Sequence, residues 1–232
     1  MSQVAARLER HLRELRELRG PGRQAPARLA ELKRWQAGRL QRTYADYAAQ
    51  RRYADATSFF IDDLYGAKDF SSRDQAMLRI LPVMDRMLPA SAVETAALAI
   101  ELEALSEDLD QRLAKALAAG PITEQSYADA YRASAARGER ERQVELIDAA
   151  GRRLDELVRK PLVGKMLKMM RRPAKLAGLA DLQDFLERGY GAFRAMDGAG
   201  EFLDAVRERE TKILSALFSR AARPFSLSPT VT

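Results

Sequence analysis

The chain has 232 residues, 47% of them apolar, with no cysteine, a single histidine and a formal charge of +6. The missing cysteine excludes disulfides, thiolate metal sites, iron–sulfur clusters and thiol nucleophiles, and any His-dependent triad or haem would have to use His11. Sparse Gly and Pro, with Ala, Leu, Arg and Glu dominant, predict an all-α protein: a single-domain bundle of about eight helices over residues 1–220, without a sheet.

Charge is unevenly placed. Residues 1–53 carry 13 Lys/Arg and 5 Asp/Glu, residues 54–138 carry 8 and 14, and residues 139–232 carry 18 and 14. A basic N-terminal third and an acidic middle can neutralise one another, so net charge is weak ground for a nucleic-acid partner. No apolar run reaches the length of a membrane span. Arg7, Glu9, Arg10 and Arg13 occupy the place where a signal peptide needs an uncharged core, so the expected location is cytoplasmic.

In chain order, Val4, Leu8, Leu12, Leu15 and Leu18 give an amphipathic helix over 2–19, broken by Gly20-Pro21-Gly22, and residues 1–22 are a candidate for separate packing. His11 sits at the edge of its stripe, a helix-edge residue rather than a ligand. Pro26 opens a second helix that should run to about 49, with Tyr44, Tyr47 and Tyr53 as core-rim residues keeping wet hydroxyls. A central helix spans 54–65 and stops at Gly66; Ser71 and Asp74 resemble a capping box for a helix over 72–88, kinked at Pro82. Ser91 and Glu94 form a second such box. It opens the longest helix, with Leu98, Leu102, Leu105, Leu109, Leu113 and Leu117 inward. Glu101, Glu103, Glu107, Asp108 and Asp110 then form a solvated acidic face, since they spread too widely for a cation site.

Thr123 caps a helix over 124–136, and another ends at Pro161. Residues 152–175 hold nine Lys/Arg against Asp155 and Glu156. Within them Leu162, Val163, Met166, Leu167 and Met170 line one face, read first as core, with the cationic heads kept in water and Pro173 as the helix end. The alternative is an anion-binding face built from Lys165, Lys168, Arg171, Arg172 and Lys175. A helix over 180–196 contains Gly189 and Gly191, which predict close approach of a neighbouring backbone or a ligand. The last helix, 200–220, places Glu210 near its apolar side, to be paired by an Arg, and 221–232 reads as a flexible tail.

The densest stretch is FFIDDLYGAKDFSSRD, residues 59–74. Phe59, Phe60, Ile61 and Leu64 must be buried, and Asp62, Asp63, Tyr65, Lys68, Asp69 and Arg73 gather at the corner beside them. They form either an ion-paired corner or a ligand site at the mouth of an apolar pocket. The stretch resembles the signature of a family of bacterial all-helical proteins of uncharacterised function, whose pattern often has a proline where this chain has Ala67. A second block, MRRPAKLAGLADLQDFLERGYGAFRAM at 170–196, resembles the same family, so the resemblance spans roughly 35–218 and implies no activity.

The reading ranked first is a non-catalytic soluble helical binding or interaction protein, with a protein partner or a second copy of itself. It assigns no catalytic residue, no metal and no cofactor. The alternative is an enzyme or small-molecule sensor with an apolar pocket beside Asp62, Asp63 and Arg73, where Asp62, Asp63, Asp69 and Glu187 could act as acid or base and Arg73 or Arg209 could hold an anionic substrate. Nucleic-acid or anionic-surface binding through 152–175 ranks last.

Overall fold

The computed structural model describes residues 1–20, 24–64 and 71–226. They form eleven α-helices and one π-helical segment, rather than about eight helices, and contain no strand. In order these are α1 (Gln3–Arg19), α2 (Leu29–Thr43), α3 (Ala45–Ala48), α4 (Ala54–Ser58), the π segment (Phe59–Leu64), α5 (Ser71–Met87), α6 (Ala90–Ala116), α7 (Glu124–Ser134), α8 (Arg137–Val158), α9 (Pro161–Leu176), α10 (Ala180–Ala195) and α11 (Gly200–Phe218).

The extra helices come from the aromatic corner. The helix expected to run to 49 breaks at Tyr44. There Arg209 donates to the Thr43 carbonyl at 2.7 Å, the acceptor an unbroken helix would offer to Tyr47. The tyrosines are not rim residues. Tyr44, Tyr47 and Tyr53 are buried and pack around Phe202, with the Tyr44 hydroxyl donating to Glu210 and that of Tyr53 to Glu201. Phe59, Phe60 and Ile61 are all buried, as their apolarity demands. Three consecutive buried side chains need neighbours on more than one side. Phe59 meets Phe185 of α10, while Phe60 stands edge-on to Tyr44 and Phe202. Gly189 makes room for the Phe59 ring, whose Cζ lies 2.8 Å from where a Cβ would stand. Close approach was expected there, but of a backbone or a ligand; it is a ring that needs the space. Gly191 has no neighbour within 4 Å of such a position.

α6 is the central helix, touching α1, α2, α5, α7 and α8. A helix surrounded in this way keeps little solvated side: the Asp108 side chain remains half-exposed, but most of its acids are not a solvated face. Glu107 and Asp110 are buried and Glu103 nearly so. Arg19 of α1 reaches Asp74 at 3.0 Å, Glu103 at 2.7 Å and Glu107 at 3.0 Å; Lys33 of α2 reaches Glu107 at 2.8 Å. Gln36 donates to Asp110 at 2.9 Å. The side chain of Ser71 lies outside the described residues, and the box expected of Ser91 and Glu94 dissolves into such contacts. Asp74 serves Arg19 and Arg73, Glu94 pairs with Arg7 at 2.6 Å, and Ser91 lies inside α6. The Gly66 stop lies outside the described residues. Thr123 does cap α7, exchanging hydrogen bonds with Ser126.

α1 is part of the main body, its Ala5, Leu8, Leu12 and Leu15 buried against α5 and α6. Pro224 is buried and Phe225 packs on Trp35 and Tyr127, so the chain is docked through 226 instead of loosening at 221. Glu210 is paired as expected, with Arg39 at 2.5 Å.

Two stability predictions arise from these cores. Phe60→Ala should cost about 3–5 kcal/mol in urea unfolding; an unchanged midpoint would refute the burial of that ring. For Glu107, burial alone would raise the carboxyl, but Lys33 and Arg19 outweigh it and hold its pKa below the ordinary value. The stability it contributes is therefore full above the unfolded carboxylate pKa of about 4.3 and lost as pH falls through the lower folded value. Glu107→Gln should be the less stable protein at neutral pH, by about 3–5 kcal/mol, and the gap should close below roughly pH 4. A gap independent of pH would contradict the ion pairing.

Candidate functional site

The corner that the sequence singles out does not assemble a shared polar mouth from its described side chains. Asp62 is exposed and accepts from Ser58 of its own helical turn at 2.8 Å. Arg73 is buried, its guanidinium on Glu103 and Asp74 and 4.8 Å over the Phe185 ring. Tyr65, Lys68 and Asp69 lie outside the described residues, as does the side chain of Asp63. The other groups named for a pocket are apart as well. Glu187 is held by Arg171, and Arg209 is forked on Asp46 at 2.8 and 2.6 Å while lying over Tyr47.

Two hollows stand out among the described residues, and neither is a metabolite-sized enclosure. A depression of about 390 Å³ is lined by Glu9, Arg13, Glu17 and their neighbours, all from α1 alone, so it has no opposing wall. A cavity of about 50 Å³ lies among Arg39, Asp110, Tyr127, Arg140 and Glu210. It suits water rather than a ligand of ordinary size. Burial raises the Asp110 carboxyl there, against the Gln36 hydrogen bond and the pull of Lys33 and Arg140.

The unusual surface is α9. Its face of Leu162, Val163, Met166, Leu167 and Met170 was expected to be core and is so only in part: Val163, Met166 and Leu167 are half-buried, Leu162 and Met170 are exposed, and Ala174 is the one buried residue. Leu162 is 66% exposed, Met169 74% and Leu176 91%. These three recur every seven residues and so share one side of the helix. Lys165, Lys168, Arg172 and Lys175 follow at intervals of three, four and three, forming a parallel strip next to it, and all four are exposed. None of the four makes an ion pair among the described residues. α9 is also the one helix there without an Asp or Glu.

The opposite side of α9 is what holds it. Arg171 is spent on Glu187, at 2.6 and 2.5 Å. Gln183 of α10 donates to the Leu167 carbonyl at 2.7 Å. Gly164 admits the Tyr190 hydroxyl to 2.5 Å from the place of a Cβ. Of the five cations named for anion binding, Arg171 thus faces α10 and the other four face outward. Pro173 does not end the helix, which continues to Leu176. The carbonyl it leaves without a donor is that of exposed Met169, on a side water can reach.

α9 is anchored at its head too. Lys160 donates to Ser91 at 2.7 Å, so the corner ending α5 abuts the corner beginning α9. Exposed Val83 and Met87 of α5 precede that contact by a few residues. Exposure of the apolar stripe was not legible from spacing, which gives a helix a face but not what covers it. The absence of any acid in 161–176 was legible, and it was the available signal.

No helix is long and apolar enough to cross a membrane among the described residues. No curated protein and no solved structure matches the chain. A family model does match, over residues 15–224, nearly the whole of the described body, and the chain belongs to that family, the Domain of unknown function (DUF8198).

Proposed function

We propose that the protein is a non-catalytic helical binding protein that docks through the outer face of α9. One observation carries this reading: four exposed cations that make no ion pair among the described residues run beside three exposed apolar side chains on a helix free of acids. Several arginines elsewhere are matched across helices, as with Arg112 on Glu139, Arg142 on Glu101 and Arg152 on Asp204. Leaving Leu162 and Leu176 in water forgoes roughly 1.5–3 kcal/mol each. An apolar strip of this kind marks an interaction site more often than an accident of the surface.

The pocket alternative has less support, because Asp62 faces solvent while Arg73 is taken up inside the fold. Nucleic acid would use the cations but would leave the apolar strip idle. With the docking reading goes a cytoplasmic location. A bacterial source goes with the resemblance of residues 59–74 to a bacterial signature.

A photo-crosslinking amino acid at Met169, compared with one at exposed Glu208 on α11, tests the assignment of the face. In the expressing cell, adducts should form at 169 and be scarce at 208. Equal yields at the two positions, or none at 169, would sink the proposal.

A further inference from the structure

Resting on the docking reading, we infer that the occupant of the α9 face is the surface of an anionic phospholipid bilayer. Shape argues first. Leu162, Met169 and Leu176 stand exposed on α9, and its main helix contacts among the described residues are with α10 and α8, so the strip itself stands clear of a helix-lined groove for a peptide there. Side chains raised in this way suit a medium that closes around each one, as the outer acyl region of a bilayer does. The strip from Leu162 to Leu176 is about 21 Å long at the rise of an α-helix, so the whole of α9 can lie flat in the interface.

Charge argues next. The cations border the apolar strip along its length, where lipid headgroups would meet them while the strip enters the apolar layer. They are held at constant spacing by a helix anchored from behind through Arg171 and Glu187. A second copy of this chain is the wrong occupant. A two-fold contact between α9 helices would bring Lys165, Lys168, Arg172 and Lys175 against their own equivalents without an acid on either side. Val83, Arg86 and Met87, a few residues before the Ser91 that Lys160 reaches, are exposed as well. The cytoplasmic leaflet, which carries the anionic lipids, is the side on which a cytoplasmic protein would meet them.

Co-flotation of the full chain with vesicles tests this. Vesicles are made of phosphatidylcholine alone, or with about a third phosphatidylserine to supply the negative surface potential. The expected result is flotation with the mixed vesicles at low salt, release as ionic strength rises, and none with phosphatidylcholine alone. Lys165→Gln with Lys168→Gln should weaken partitioning about thirtyfold. Leu162→Ser with Met169→Ser should abolish it. Both double variants should keep the wild-type thermal midpoint, because the four side chains face outward. Equal binding to both vesicle types, or a Lys165→Gln/Lys168→Gln protein that floats like wild type, overturns the inference. If nothing floats while the crosslinker at 169 captures a protein, the lipid surface is refuted and the docking face stands; if neither occurs, both fail.

Discussion

The fold turns on a restriction that α6 imposes. It carries Glu103, Glu107 and Asp110 into the interior, where an unpaired carboxylate is expensive. Each has to be met, and the groups that meet them come from other helices: Arg19 from α1, Lys33 and Gln36 from α2, Arg73 from α5. One guanidinium, that of Arg19, reaches three carboxylates. A slip of α1 by one turn would leave all three short of it. Such a network adds little net stability compared with an apolar core, but losing one partner is costly, so its service here is to hold α1 and α5 in register on α6. It also explains why Arg73, placed in the sequence like a ligand-binding residue, is occupied with holding the fold.

The aromatic corner obeys a different rule. There the requirement is volume, not charge. Phe59, Phe60 and Ile61 arrive in sequence and cannot share one side of a regular helix, so the chain widens into a π turn and meets α10 on one side and Phe202 on another. π turns are often found at functional sites; in this chain the buried rings supply a packing reason for it. Gly189 belongs to the same solution, since a methyl at that position would overlap the Phe59 ring.

What could be read from the chain follows the physics of each signal. Helical periods gave the elements and Thr123 the start of α7, because these depend on neighbours in sequence. The opposed charges of residues 1–53 and 54–138 were read as able to pair, and Arg7–Glu94, Arg19–Glu103 and Lys33–Glu107 do so. The burial of α6's acids escaped that reading. Glu107 looks solvated on a helical wheel because the wheel assumes a broad wet side, and a central helix keeps little of one. Ser91 and Glu94 make the same point: their spacing suits a cap, but each had a stronger partner on another element, Lys160 and Arg7.

α9 inverts α6, and the contrast is why its face carries weight. In α6 the acids outnumber the local bases and are drawn inward by cations from elsewhere. In α9 cations stand with no acid on their own helix, and among the described residues Arg171 alone makes an ion pair, with Glu187 of α10. A protein that recruits Arg19 across to three carboxylates has the means to neutralise a basic helix, yet leaves this one open on the side away from α10. The apolar strip beside it is open in the same direction. Solubility alone would account for exposed lysines, and a loosely packed edge would account for an exposed leucine. Neither accounts for both kinds of side chain in parallel rows over the full length of a helix whose other side is firmly bonded, and a negatively charged surface with an apolar layer beneath it satisfies both rows at once.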